Sequence, residues 1–309
     1  MAFLFPGQGS QFIGMGQEFF DSVRSCAEIF EIAEEVTGIP VRELCFKGPA
    51  EELVRTANLQ PCLTTVEMAC AAAAMDMGMK PVAAAGHSLG EYPALWCAGV
   101  ISTESAIKLV QERGKFMEQA AEDRPGAMAA VIGMPKDELE SLVEQCRTEG
   151  EVLALANYNS PEQIVVTGEK EPVARLCKQV KKRKAKAIPL KVSGAYHSLL
   201  MDRAALLFSE VVQKVEFSAP AFPVYNNVNG KVVRDPIKIK QLMVEQICAP
   251  VRWVDIVTNM ADDGVEVFVE AGPKKVLTNL TRKCLGDRQV SFCQFDSPES
   301  LNACVRCVH

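Results

Sequence analysis

The sequence predicts an α/β protein: a largely parallel sheet covered by helices, with a smaller βαββαβ unit set into it. Two observations carry this. Short apolar runs ending in glycine-rich turns, FLFPGQG at 3–9 and VAAAGHS at 82–88, alternate with segments whose apolar residues recur at helical spacing. Such alternation closes as parallel strands with helices on both faces. Between residues 127 and 192 the order becomes strand, helix, two strands, helix, strand, which is the split, ferredoxin-like unit. At 309 residues the chain is long enough for one large domain or two modest ones.

Along the chain, the first strand runs into the turn at Gly7 and Gly9, and Phe19, Val23, Cys26, Phe30 and Ala33 then predict one amphipathic helix ending at Gly38. Helical segments are expected near 49–56 and 61–77, and the chain turns extended at about Val82. A helix follows from Ser102, its N-cap, to about residue 121. In the inserted unit AMAAVIG reads as a strand, PKDELESLVEQCRTEG as a helix opened by Pro135, EVLALAN and QIVVTG as strands, KEPVARLCKQVKKRK as a helix and AIPLKV as the last strand. Strands return near 223–226, 265–269 and 290–295, with no internal repeat and no long low-complexity linker.

Composition narrows the function classes. A share of 48% hydrophobic and 23% charged residues is that of a globular enzyme, and a net charge of −6 argues against binding nucleic acid, which needs basic surfaces to displace counterions. No apolar stretch approaches the ~20 residues of a membrane span, and no basic flank precedes the opening apolar run, so a cytoplasmic location is expected. The twelve cysteines show no disulfide spacing and are expected reduced, as small buried hydrophobes; the CVRC pair of Cys304 and Cys307 has no second pair to complete a zinc site.

Chemistry concentrates in two turns. Gly7 and Gly9 begin a dinucleotide-type fingerprint, but Phe12 stands where the third glycine belongs and no GK[ST] follows, which leaves phosphate a minor reading and a plain strand-terminating turn an equal alternative. GHSLG at 86–90 lies between an apolar strand and a helical run, the setting in which glycines let the chain turn sharply and present a serine at a helix N-terminus. The same five residues also arise by chance, since glycine and serine are common. Ser88 is therefore a candidate nucleophile, and a serine hydroxyl needs a base. Of three histidines, His87 is adjacent and its side chain should diverge, His309 is the last residue and is expected to fray, and His197 remains. The N–H of Leu89, next to the nucleophile, can serve an oxyanion, with a second donor from the opening loop. On its own, Arg113 in QERGK reads as a helix-surface residue.

Taken together, FPGQGSQ, GHSLGEYPAL, ERGKFMEQA, NYNSPEQIVVTG, VSGAYHS, FPVYNNVNG, EQICAPVRW and EAGPKKVLTNL resemble, in order and spacing and over essentially the whole chain, the malonyl-CoA:acyl carrier protein transacylase family. The resemblance implies an α/β-hydrolase-like large subdomain at 1–122 and 198–309 and a ferredoxin-like small subdomain at 123–197. It implies Ser88 as the acylated nucleophile, His197 as its base, the backbone N–H groups of Gln8 and Leu89 as the oxyanion hole, and the main-chain carbonyl of Gln246 orienting the histidine in place of an acidic residue. It makes Arg113 the partner of the malonyl carboxylate. The GAYH tetrapeptide at 194–197 is similar to malonyl-selecting variants, with Tyr196 replacing the commoner phenylalanine.

The implied reaction is ping-pong transfer of malonyl from malonyl-CoA to the phosphopantetheine thiol of acyl carrier protein, supplying extender units for fatty-acid or polyketide synthesis, with no bound cofactor, metal, nucleic acid or membrane, and a monomer is the expected working form. Carrier proteins of such systems are acidic, so a basic face is expected, either Lys178, Lys181, Lys182, Arg183, Lys184 and Lys186, or Lys274, Lys275, Arg282 and Lys283; a solvated charge run is the plainer reading of both. The rival is a serine thioesterase or esterase using the same Ser-His pair, although such enzymes place the histidine near the C-terminal end. A carrier-binding scaffold without turnover is the non-enzymatic alternative.

Overall fold

The computed structural model describes residues 1–308. In chain order the strands are β1 (Ala2–Phe5), β2 (Ala83–Gly86), β3 (Ala127–Ile132), β4 (Leu153–Ser160), β5 (Gln163–Gly168), β6 (Lys186–Pro189), β7 (Val224–Tyr225), β8 (Val267–Ala271) and β9 (Ser291–Phe295). They form a five-stranded sheet ordered β7-β2-β1-β8-β9, in which every pairing is parallel, and a four-stranded antiparallel sheet ordered β4-β5-β3-β6. The second order, with helices Lys136–Cys146 and Lys170–Lys182 between its strands, is that of the split unit read from the sequence.

All four residues of β1 are buried, because both faces of the parallel sheet are covered. Phe3, Phe5 and Ala84 face the core shared with helices Thr56–Asp76 and Thr103–Asp123. Ala2, Leu4, Ala83 and Ala85 face Trp253, Ile256 and Val257 on the other side. The small sheet divides in the same way: Met128, Ala130, Ala156 and Val165 join the main core, whereas Ala129, Val131, Leu155 and Val166 pack beneath the unit's own two helices. Its β4 is sewn to the large body at Val251, whose N–H donates to Ala156 O (2.8 Å) and whose carbonyl accepts from Tyr158 N (2.9 Å). Register shifts on either side bend β4 there and turn Asn157 and Asn159 toward the cleft between the sheets.

Three elements differ from the sequence reading. The helix expected across 19–38 is two, Gln17–Ser22 and Arg24–Thr37, because Val23 adopts an extended φ of −127° and closes the first helix while opening the second. The second is the helix Thr56–Asp76, which runs through Pro61 instead of starting there; seventeen of its residues are buried, and tertiary packing offsets the lost N–H. The last strand of the small sheet ends at Pro189, so 190–196 leave the sheet and descend toward the cleft. Ser102 does cap its helix, accepting from Ser105 N. The cysteines are free thiols, six of them buried. Among the described residues no helix is long and apolar enough to cross a membrane.

The loops after β1 and β2 lie side by side, since Phe5 pairs with Gly86 in parallel register. A β-carbon at Gly86 would sit 1.8 Å from Gly90 O, and one at Gly90 2.1 Å from Phe5 O. Gly99 is different: its φ is +72° but nothing lies within 4 Å of a β-carbon there. Gly99→Ala should therefore lower stability by about 1 kcal/mol, the cost of a left-handed side chain, and Gly86→Ala by more than about 3 kcal/mol. Urea unfolding of both variants checks this, and equal shifts would mean that the close approach of Gly86 to Gly90 within the turn is not the limiting constraint.

Candidate active site

The turn after β2 carries Ser88 at φ +52°, a left-handed conformation rare for a side-chain-bearing residue, at the start of a tight helical turn, Ser88–Gly90, that leads into helix Glu91–Cys97. Three side chains hold it there. Asn227 accepts from Ser88 N through Oδ1 (2.6 Å) and donates from Nδ2 to Gly86 O (2.7 Å). Gln246 donates from Nε2 to Ser88 O (3.0 Å). Glu91 ties the two together, its Oε2 accepting from Gln246 Nε2 (2.6 Å) and from Asn227 N (3.1 Å).

His197 reaches the serine from the segment beyond β6. It too is left-handed, with φ +58°, and its Nε2 lies 2.8 Å from Ser88 Oγ. Nδ1 is within reach of the carbonyls of Gln246 (2.9 Å) and Ala249 (3.0 Å); carbonyls only accept, so Nδ1 carries the proton and Nε2 presents a lone pair to the serine hydroxyl. Burial, and next the Arg113 guanidinium, push the imidazolium down to about 3, which keeps the ring neutral and able to take a proton. His87 faces elsewhere, pairing through Nε2 with Asn159 Oδ1 (2.8 Å) beside the Trp253 ring. His309 lies outside the described residues.

Arg113 is 1% exposed, not on the surface where its local sequence would put it. It lies on the buried face of its helix with Ala106, Val110 and Met117, where Gly114 lets the two long helices close together: a β-carbon there would stand 2.7 Å from Thr56 O. Nη1 donates to Gln60 Oε1 (3.0 Å), Nη2 to Gln246 Oε1 (3.0 Å) and to Ser88 Oγ (3.1 Å), and the group lies over the Tyr92 ring. Burial pulls its pKa below the usual arginine value, and among the described residues no carboxylate touches it. Its nearest counter-charge is Glu91, reached through the Gln246 amide. Burial pushes Glu91 up to about 7, against the hydrogen bonds from Gln246 and Asn227 and the attraction of Arg113.

A cavity of about 110 Å³ opens on these groups, lined by Gln8, Leu89, Met117, Met128, Asn157 and Val192 among others. A larger concavity of about 790 Å³ around Glu34 and Arg42 is an open surface groove lined by no serine, cysteine or histidine. Gln8 N makes no backbone hydrogen bond among the described residues, and Leu89 sits in a first helical turn, where N–H groups lack intrahelical acceptors. The hydroxyl of Tyr196 is bonded to Thr56 Oγ1 (2.8 Å) and Ser193 Oγ (2.7 Å), which accounts for a tyrosine where a phenylalanine is commoner.

The structure thus brings Gln8, Ser88, Leu89, Arg113 and His197 to one cavity, with Gln246 hydrogen-bonded to Ser88, Arg113 and His197. The sequence reading missed Gln60, Glu91 and Asn227, and saw only the main chain of Gln246. Gln60 carried a signal, as a polar residue on a helix apolar all round; Asn227 and Glu91 carried none beyond lying within the segments FPVYNNVNG and GHSLGEYPAL. No group of three His, Cys, Asp or Glu residues suited to a metal occurs among the described residues.

The family model described as acyl transferase domain matches residues 2–295. The chain belongs to the acyl transferase family. The acyltransferase is 39% identical over 307 residues to the malonyl CoA-acyl carrier protein transacylase of Bacillus subtilis, covering 99% of this chain and 96% of that one. It is 43% identical over 284 residues to the protein of that name from Escherichia coli, covering 91% and 92%. Among solved structures it is similar to an acyl carrier protein S-malonyltransferase from Vibrio cholerae, with TM-score 0.93, 39% identity and coverage of 98% and 99%. A malonyl-transacylase solved in complex with a type II PKS acyl-carrier protein matches with TM-score 0.94 and 37% identity over 99% of each chain.

Two expectations follow from the clamp around Ser88. Asn227→Ala leaves Ser88 N–H and Gly86 C=O without partners and frees the strained serine, so labelling of Ser88 by a fluorophosphonate should slow at least about tenfold; an unchanged rate in a folded variant would remove Asn227 from the clamp. For Glu91, a folded-state pKa of about 7 against the ordinary 4.5 means that the folded protein binds this proton more tightly than the unfolded chain. The resulting stabilisation is complete below 4.5 and lost as pH rises to about 7. Relative to the parent, Glu91→Gln should therefore gain up to about 3 kcal/mol of unfolding free energy between pH 4.5 and about 8, measured by urea titration; a difference independent of pH would show Glu91 ionised throughout.

Proposed function

We propose that the acyltransferase moves a malonyl group from malonyl-CoA to the phosphopantetheine thiol of an acyl carrier protein through an ester on Ser88. The observation that carries this is the buried Arg113 guanidinium, 3.1 Å from Ser88 Oγ and held by Gln60 and Gln246 without a carboxylate partner. A fixed cation beside the nucleophile favours acyl groups that end in a carboxylate, and its planar fork can grip one at two points.

The steps follow from the geometry. Ser88 Oγ attacks the thioester carbon while its proton passes to His197 Nε2, and the imidazolium so formed is stabilised by the carbonyls of Gln246 and Ala249 at Nδ1. The carbonyl oxygen becomes an oxyanion facing the N–H groups of Gln8 and Leu89. Collapse breaks the carbon–sulfur bond, His197 returns the proton to the departing CoA sulfur, and malonyl remains as the serine ester. The carrier's thiol then gives its proton to His197 and repeats the sequence in reverse. Met117, Met128, Leu190 and Val192 line the cavity with apolar surface, which disfavours an attacking water.

We place the small subdomain at 123–197 and the remainder in the large one; the separate antiparallel sheet and its own apolar core support this. A malonyl-transacylase of the same fold binds a carrier protein in its solved complex, which supports a carrier as acceptor. For docking, the two basic clusters stand differently. Lys178, Lys181 and Lys182 lie on a helix covering the face of the small sheet away from the cavity, whereas Lys274 adjoins the turn that holds Gln8.

Intact-mass measurement after mixing with malonyl-CoA, acetyl-CoA or methylmalonyl-CoA tests the reading. A malonyl adduct is expected, lost in Ser88→Ala and giving way to acetyl in Arg113→Ala. Rapid release of free malonate without a carrier would favour a thioesterase.

A further inference from the structure

We propose that Lys274 is a positioning residue for the oxyanion hole: its ammonium straps the turn that carries Gln8. The inference rests on the reading of Gln8 N–H as an oxyanion donor. Lys274 Nζ donates to Gly9 O (3.3 Å) and to Gln11 O (3.0 Å), across 263 to 265 residues of sequence. Its own backbone is left-handed, with φ +66°, where glycine is at ease and a side chain costs about 1–2 kcal/mol. A side chain kept at such a position, with both of its contacts on one functional turn, points to a role in that turn.

The strap has a rigid base. In the loop between β8 and the helix Val276–Leu285, Lys274 N donates to Asp296 Oδ2 (3.2 Å). Gly272 lies so close to Pro6 that a β-carbon would stand 3.1 Å from its ring. Glu270 accepts from Leu277 N (2.9 Å) and Thr278 N (2.7 Å), fastening the start of the helix. The turn it reaches is jointed. Ser10 fixes the Gly7–Gln8 peptide by donating from Oγ to Gly7 O (3.0 Å), whereas the N–H of Gly9, at φ +108°, is tied only within the turn, donating to Gln11 Oε1 (2.7 Å). The lysine holds the carbonyls on either side of Ser10, the first of them Gly9's own, so it restrains the joint one residue beyond the Gln8 donor.

This assignment gives Lys274 a different duty from carrier docking, and the two half-reactions separate them. In the full-length protein, Ser88 loading by malonyl-CoA with no carrier present is followed by quenched-flow intact mass. Lys274→Gly and Lys274→Met should each slow loading roughly three- to tenfold with the KM for malonyl-CoA unchanged. Lys274→Arg, which can reach the same carbonyls, should recover most of the rate. Lys274→Gly should also unfold at an equal or higher urea concentration than the parent, because glycine relieves the left-handed strain, so activity and stability move in opposite directions. Loading at the parent rate in Lys274→Gly and Lys274→Met would overturn the proposal, and a rise in the KM for carrier alone would make Lys274 a docking residue instead. A parent that forms no malonyl ester would sink the underlying reading itself, and Gln8→Pro loading at the normal rate would remove the donor the strap is meant to position.

Discussion

A serine forced into the left-handed region between Gly86 and Gly90 is the constraint around which this acyltransferase is built. The strain of that conformation, about 1–2 kcal/mol, is small beside the buried hydrogen bonds that enforce it. Asn227 grips the turn by one N–H and one carbonyl, Gln246 by the next carbonyl, and Glu91 joins the two. The same turn stacks on the loop after β1, with glycines at both points where the backbones meet. Because the two strands pair in parallel register, the serine turn and the opening turn cannot move independently.

The electrostatics depend on that clamp as well. A fully buried guanidinium without a touching carboxylate is costly unless its charge is shared, and the Gln246 amide links Arg113 on one side to Glu91 on the other. His197 is kept neutral by the same burial and the same cation. One residue therefore holds four groups: Gln246 contacts the histidine by its carbonyl, the serine turn and the glutamate by its Nε2, and the arginine by its Oε1. Two backbone carbonyls fix the Nδ1 proton of His197 without an acidic side chain.

Much of this was legible in the chain. GHSLG between a strand and a helix marked the turn, the scarcity of histidine singled out His197, and the βαββαβ order of the small sheet could be read from periodicity. Helix boundaries were less legible where tertiary packing overrode local preference, as at Pro61, which lies inside a helix whose burial offsets a missing N–H, and at Val23, where one residue ends one helix and begins the next.

By itself the sequence determined which residue types stand beside each turn, since strand and helix periods and the need for glycine at crowded or left-handed positions are local properties of the chain. Only the tertiary structure decided what Arg113, Glu91, Asn227 and Lys274 do. Each comes from a different element, and what each does is set by partners tens to hundreds of residues away: Ser88 for Asn227, Gln60 for Arg113, Gly9 and Gln11 for Lys274. Such contacts follow from strand order and from helices meeting at Gly114, and no window of sequence contains them.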